Sequence, residues 1–209
     1  MTRRPFSRLT LKDAYELVPI VRTREWDINP LDRAPSDVLL ANLQRFKSFA
    51  LTTSEAAKVM LIDALLAEIV PHYPRLKVWK GEPIEIETVG GIADYLIARD
   101  YGYVETPLLC AVEANGARWD TDGTDDFVQG EAQCIAEMAV CRDNNTRDGH
   151  DLDIYGIVSN GQGWVFYHLT RTPEVFVSGT YTMTDMPKLL GALDLVIAAC
   201  ADNIPAQTT

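Results

Sequence analysis

Two apolar segments of the chain decide the fold, and they read Gly90-Gly91-Ile92-Ala93-Asp94-Tyr95-Leu96-Ile97 and Leu108-Leu109-Cys110-Ala111-Val112-Glu113-Ala114-Asn115. Each segment has the composition of a β-strand, and each carries one acid among apolar neighbours. Ionising a carboxyl group in such surroundings is costly unless a partner is supplied. Adjacent strands that project Asp94 and Glu113 to one side would form an all-oxygen site suited to Mg²⁺. Alternatively, each acid marks a strand end or pairs with Arg99 or Arg118.

The segments around these two strands predict an alternating helix and strand order. Apolar spacing indicates a helix from about Ser54 to Val70 and another running to about Arg142, and Met186 to Ala201 forms a closing helix. Strand composition marks Leu76 to Glu87, Ile92 to Arg99, Leu108 to Ala114, Ile154 to Ser159, Gly163 to Leu169 and a short strand near Val175 to Thr182. We therefore expect an α/β fold with a central mixed sheet flanked by helices.

Composition limits the classes of function. The chain has 209 residues, 47% of them hydrophobic, and 30 acidic against 19 basic side chains give a formal net charge of −11. A disordered chain is excluded, and so is a protein that coats nucleic acid non-specifically, so any nucleic-acid contact is expected to be local. We expect residues 1–50 to form an N-terminal extension packed on one domain at 51–209.

Other features predict the compartment and exclude common sites. The first residues contain no apolar run of signal-peptide length and no segment predicts a membrane span, so we expect a cytoplasmic protein with no membrane partner. The four cysteines form no Cys-x-x-Cys pair and are expected to be buried, reduced thiols. Asn160-Gly161-Gln162-Gly163 is typical of a hairpin turn and not of a dinucleotide fingerprint, and the three histidines lack metal-ligand spacing.

The order of several short motifs resembles the PD-(D/E)XK nuclease superfamily, especially the nuclease domain at the N-terminus of type I restriction enzyme motor subunits. The resemblance covers Ser54 to Leu169 and rests on motif order. The motifs are Ser54-Glu55-Ala56, Leu61-Ile62-Asp63-Ala64-Leu65-Leu66, Ala93-Asp94-Tyr95-Leu96, Val112-Glu113-Ala114-Asn115, Gly130-Glu131-Ala132-Gln133 and Tyr155-Gly156-Ile157-Val158-Ser159-Asn160-Gly161. It implies a restriction-endonuclease-like αβββαβ core.

The resemblance also implies roles for individual residues. Asp94 matches the first metal-binding acid and Glu113 the second, while Gln133 matches a glutamine that often borders the site. Glu55 matches the acid of the first helix, although the reciprocal half of a capping box with Thr52 explains it equally well. Gln133 shares a helix face with Gln129 and Glu137, so a solvated polar stripe is the alternative for Gln133.

One position departs from the family pattern. The family's lysine stands two residues after the second acid, where this chain has Asn115. That lysine is taken to orient or deprotonate the attacking water and to stabilise the phosphorane, a role in which losing one donor costs about 10²–10³ in rate. Some active restriction enzymes resemble this pattern with Glu or Gln at the lysine position. Lys77 or Lys80 on the preceding strand is a spatial substitute to be considered.

These observations lead to one expected function and two alternatives. The resemblance implies a Mg²⁺-dependent or Mn²⁺-dependent phosphodiester hydrolase acting on DNA, in which Asn115 and Gln133 position the water or the phosphate. The acidic stretch Asp120 to Glu131 would repel phosphate unless it adds metal ligands, and with the absent lysine it favours a catalytically degenerate binding or assembly module. A second copy of the chain or another protein would then be the partner. A small-molecule-binding protein would instead show a deep apolar pocket remote from the two acids.

Overall fold

The computed structural model describes residues 3–18, 23–51, 55–114, 124–172 and 174–204, with the backbone alone described at 55–57 and 124–128. The helices are α1 Leu11–Leu17, α2 Asp37–Phe46, α3 Glu55–Ile69, α4 Thr124–Arg147 and α5 Met186–Asp202. The strands are β1 Arg4–Pro5, β2 Thr23–Trp26, β3 Leu76–Glu85, β4 Val89–Arg99, β5 Leu108–Ala114, β6 Ile154–Ser159, β7 Gly163–Leu169, β8 Val175–Ser178 and β9 Tyr181–Thr182.

One mixed sheet runs through these strands in the order β1-β4-β5-β6-β7-β8-β2, with β3 also paired to β4 and β9 to β7. Antiparallel pairs join β3 to β4, β4 to β5 and β6 to β7, whereas β5 and β6 are parallel. The parallel pair is connected through α4, as such pairs require a long crossover. The expected α/β class, with a mixed central sheet flanked by helices, is confirmed.

Helices cover both faces of the sheet. On one face, α3 and α5 pack their apolar side chains against residues of β4, β5, β6 and β7 such as Ile97, Val112, Ile157 and Phe166. On the other face, α4 and α1 enclose a second cluster. Every residue of β5 and β6 is buried, which explains why their sequences are almost continuously apolar.

Local sequence explains several element boundaries. Thr10 and Asp13 form a capping box at the start of α1, and the Ser36 hydroxyl accepts a hydrogen bond from the Leu39 amide at the start of α2. Between β6 and β7, Gly161 has φ of +84°, and the Asn160 side chain accepts hydrogen bonds from the amides of Gln162 and Gly163. The hairpin turn expected at these residues is confirmed.

Several boundaries differ from those expected. Strand β3 ends at Glu85 instead of Glu87, and β4 begins at Val89 instead of Ile92. Helix α4 continues to Arg147 instead of ending near Arg142, because the Asn145 side chain exchanges two hydrogen bonds with the backbone of Leu108, at 2.7 and 2.8 Å. The stretch predicted as one strand near Val175 to Thr182 is divided into β8 and β9. All four cysteines are buried and free, as expected.

The N-terminal residues contribute to the same sheet. Strand β1 pairs with β4 and β2 pairs with β8, both in parallel, while α1 packs on α4. The boundary expected at residue 50 stays a prediction. Among the residues described, no helix is both long enough and apolar enough to cross a bilayer.

Candidate functional site

The two acids singled out from the sequence lie next to each other across β4 and β5. Tyr95 and Val112 are register partners in this antiparallel pair, Asp94 precedes the first and Glu113 follows the second. A hydrogen bond of 2.8 Å from the Ala114 amide to Asp94 Oδ2 joins the Asp94 side chain to the end of β5. The two acids therefore occupy neighbouring positions on adjacent strands, and a cation shared between them stays a prediction.

Helix α4 supplies the third residue of the site. The Gln133 side-chain amide donates a hydrogen bond of 3.1 Å from Nε2 to Glu113 Oε1. Glu113 is only 7% exposed, so this donor contacts a carboxylate with little access to water. The hydrogen bond fixes the orientation of the Glu113 carboxyl group against α4.

The interpretation of this helix face as a solvated polar stripe is wrong. Gln129 is exposed, Gln133 is half-buried and Glu137 is completely buried. Side-chain burial on this face of α4 therefore increases from Gln129 to Glu137. The close approach of α4 to the sheet causes this gradient. It depends on Gly156 of β6, since a Cβ atom there would lie 2.6 Å from the Cys134 sulfur and would also collide with Met138.

Glu137 is a residue of this site that the sequence reasoning missed. Burial raises the pKa of its carboxyl group well above the usual range, and the nearby charges of Glu113 and Asp94 raise it further. Neither carboxyl oxygen has a hydrogen-bond partner among the residues that the structure describes. The signal was available, because Glu137 is flanked by Ala136 and Met138 in the same way that Glu113 is flanked by apolar residues.

Two predicted site residues cannot be placed relative to these acids. Asn115, at the position of the family's lysine, lies outside the described residues, as does Thr52, the proposed capping partner of Glu55. Glu55 is the first residue of α3, but its side chain also lies outside the described part. Their roles stay predictions, and so does any contribution of Arg118 or of the acids between residues 115 and 123.

The lysines considered as substitutes for the missing one are engaged elsewhere. Lys80 Nζ lies 2.8 Å from both carboxylate oxygens of Asp63 on α3, and Lys77 Nζ lies 3.5 Å from Asp100, beyond the opposite end of β4. Neither lysine therefore supplies the charge of the family's motif to Asp94 and Glu113.

A different lysine is buried near the end of β5 and the turn between β6 and β7. Lys58 of α3 is only 6% exposed, and its backbone carbonyl lies against Gly161, where an added Cβ would be 3.1 Å away. That turn follows Ser159, the register partner of Ala114. The backbone of Lys58 thus packs on the β6–β7 turn, which follows the register partner of the last residue of β5.

The acidic residues of α4 do not all face the site. Tyr15 of α1 donates a long hydrogen bond of 3.5 Å to Glu131 Oε1, and burial raises the pKa of the Glu131 carboxyl group. Glu131 is therefore held by α1 rather than by Asp94 or Glu113. The side chains of the other acids between Asp120 and Asp126 lie outside the described part of the structure.

The described side chains supply only part of a metal coordination shell. Within the described ranges, no three His, Cys, Asp or Glu side chains are grouped so that they could hold a metal ion. Two adjacent carboxylates nevertheless suit Mg²⁺, which proteins often bind through one or two carboxylates together with water and substrate phosphates. A divalent cation held by Asp94 and Glu113 therefore stays a prediction.

The sequence matches no protein-family model, and no curated protein gives a significant match to it. The function of the chain is therefore inferred from the chemistry of these residues.

On the opposite face of the sheet, a cavity of about 380 Å³ lies between α3 and β3. Its lining is mainly apolar, and Asp63, Lys77 and Lys80 supply its charged groups. The apolar and aromatic part of the lining consists of Leu66, Ala67, Val70, Pro71, Tyr73, Pro74, Leu76 and Val78. The cavity is thus separate from the Glu113 side chain, which contacts α4.

Proposed function

We propose that the protein is a cytoplasmic, metal-dependent phosphodiester hydrolase that acts on DNA through a local site. The observation that carries this proposal is the pairing of Asp94 and Glu113 across β4 and β5, with Gln133 donating a hydrogen bond to Glu113. The resemblance of the motif order to PD-(D/E)XK nucleases supports the same reaction class.

Asp94 and Glu113 would hold the cation, with Mg²⁺ as the first choice and Mn²⁺ as a substitute. The cation, when bound, would polarise the phosphate and lower the pKa of an attacking water. The two carboxylates supply hard oxygen donors, which are the kind of ligand that these ions prefer.

The chain's own residues have distinct tasks in this proposal. The Ala114 amide fixes the Asp94 carboxylate, and Gln133 fixes Glu113, so both acids are oriented before the cation arrives. Such preorganisation lowers the cost of binding in the required geometry. Gln133 is thereby a positioning residue that acts through Glu113, whereas Asn115 remains the candidate for contacting the water or the phosphate.

The test compares cleavage of plasmid DNA by the parent protein and by Asp94→Asn and Glu113→Gln variants, in Mg²⁺, in Mn²⁺ and in EDTA. We expect cleavage that requires the cation and that both substitutions abolish. Gln129→Ala is the matched control, because Gln129 is exposed on the same face of α4. Cleavage that survives in either acid variant would contradict the proposal.

The competing function is a degenerate nuclease-like module that binds a second copy of the chain or another protein. It is favoured by Asn115 in the lysine position and by the net charge of −11. It predicts no cleavage by the parent protein under any metal condition, together with an assembly whose size does not change in Glu113→Gln. Sedimentation of both proteins separates this outcome from nuclease activity.

The cavity between α3 and β3 favours a second candidate, the binding of a small apolar molecule. Its lining is mainly apolar, and its two lysines already pair with Asp63 and Asp100, so we propose a ligand with a mainly apolar body. A dansyl-labelled medium-chain fatty acid should bind saturably. Ala67→Trp, which fills the cavity from an exposed position, should remove binding, whereas Glu113→Gln should not.

A further inference from the structure

Glu137 presents an unusual arrangement for a carboxyl group. The residue is 0% exposed, and neither Oε1 nor Oε2 has a hydrogen-bond partner among the described residues. Native proteins satisfy nearly all buried polar groups with protein atoms or with ordered water. The arrangement of Glu137 therefore points to a ligand or to water that completes it.

The position of Glu137 shows where such a ligand would lie. Glu137 follows Gln133 by one helical turn, so the two side chains leave the same face of α4 with Cβ atoms about 5–6 Å apart. Gln133 contacts Glu113, and the charges of Glu113 and Asp94 act on the Glu137 carboxyl group. Glu137 thus lies one turn deeper in the core than Gln133, on the face of α4 that contacts Glu113.

Direct coordination by all three acids does not fit the structure. No group of three such side chains within the described ranges is arranged to hold a metal ion. Mg²⁺ is small, dehydrates reluctantly and usually keeps several of its waters when it binds to a protein. A water molecule of the ion's hydration shell can connect the Glu137 carboxyl group to a cation that Glu137 does not coordinate directly.

We propose that Glu137 is a positioning residue of the divalent-cation centre and that its oxygens bind the hydration water of a cation held by Asp94 and Glu113. This inference rests on the proposed function, since it requires that Asp94 and Glu113 hold the ion. Groups in the outer shell of a metal typically change its affinity by about 10–100-fold when they are removed. Glu137 would accordingly tune affinity and hydration without touching the metal.

The experiment measures Mn²⁺ binding by calorimetry and the number of retained waters by water proton relaxation, using the full chain without substrate. We expect Glu137→Leu to fold, because it removes an unsatisfied buried carboxyl group, and to bind Mn²⁺ about 10–100-fold more weakly with altered relaxation. Glu137→Gln keeps the size and polarity of the side chain and is the second variant if the leucine protein does not fold. Glu131→Gln is the matched control, since Glu131 is a half-buried acid of α4 held by Tyr15.

The outcomes separate the inference from the function on which it rests. The inference is overturned by one combination of results: the parent binds Mn²⁺, Glu113→Gln abolishes that binding, and both Glu137 variants bind like the parent. Glu137 would then be only a buried structural group. If the parent does not bind Mn²⁺, or if Glu113→Gln binds it equally well, the proposed function fails first. Weaker binding in the Glu137 variants with unchanged binding in Glu131→Gln supports the inference.

Discussion

The Gln133 side-chain amide donates a 3.1 Å hydrogen bond to the nearly buried carboxylate of Glu113, and this contact connects α4 to the β4–β5 strand pair. One contact thereby couples the packing of a helix to the orientation of a candidate metal ligand. A change that displaces α4 should consequently affect both stability and cation binding.

Removing the amide of Gln133 tests this coupling. Gln133→Ala deletes a donor to a buried carboxylate, and hydrogen bonds to charged groups contribute about 1.5–3 kcal/mol. We expect the free energy of unfolding in urea to fall by a similar amount and the response to Mg²⁺ to weaken. Gln129→Ala, at an exposed position of the same helix, should change stability by less than about 0.5 kcal/mol. Equal effects of the two substitutions would contradict the assigned role.

Metal binding should stabilise the native protein. Two neighbouring carboxylates repel each other without a cation, and an ion that binds only the folded state adds about 2.7 kcal/mol at a hundredfold excess over its Kd. The melting temperature should therefore rise with Mg²⁺ concentration, and Glu113→Gln should abolish the rise. A variant that still responds like the parent would place the metal elsewhere.

Gly156 permits α4 to approach the sheet, and a methyl group there should force the helix away. In Gly156→Ala the new Cβ would lie 2.6 Å from the sulfur of Cys134 and 3.2 Å from Cβ of Tyr167. Overpacking of this kind costs about 1–3 kcal/mol, measured by urea unfolding. Gly179→Ala is the control, since nothing lies within 4 Å of its added Cβ. The Mg²⁺ response should decrease only in Gly156→Ala.

Much of the fold and part of the site could be predicted from the sequence. The bounds of β5 and β6 were predicted correctly, because both strands are buried over their whole length and turn residues flank their apolar runs. The end of α4 was missed, since Asn145 continues the helix through hydrogen bonds to Leu108, a contact 37 positions away in the chain. Glu137 was missed for a related reason. Its spacing from Gln133 fits a solvated face as well as the core, whereas its apolar neighbours Ala136 and Met138 indicate the core. The packing of α4 on the sheet bears out the second signal.

Acid pH should weaken the attachment of the N-terminal residues through Asp13. Hydrogen bonds from Arg4 first, and then from Thr10, lower the pKa of the Asp13 carboxyl group below its usual range. A carboxyl group with a lowered pKa in the folded state contributes stability above the unfolded pKa, about 4, and loses it as pH falls towards the folded value. Asp13→Asn should therefore be less stable than the parent at pH 7. The difference in unfolding free energy should shrink below about pH 4, and a constant difference down to pH 2 would contradict this role.

Asn115→Lys tests whether the position two residues after Glu113 is a vacated catalytic position. The substitution adds an ammonium group near two acids, where opposite charge offsets part of its desolvation and helps to recruit a phosphate. The variant should fold, and its metal-dependent cleavage of DNA should exceed that of the parent. One electrostatic donor is typically worth about 10²–10³ in rate, so even a partly restored role should be measurable by plasmid nicking. Adding Asp94→Asn to the same protein should remove the gain, because the lysine acts only beside an occupied cation site. A folded lysine variant that neither cleaves nor binds DNA would instead favour the assembly module, since restoring the lost charge would then not restore phosphodiester chemistry.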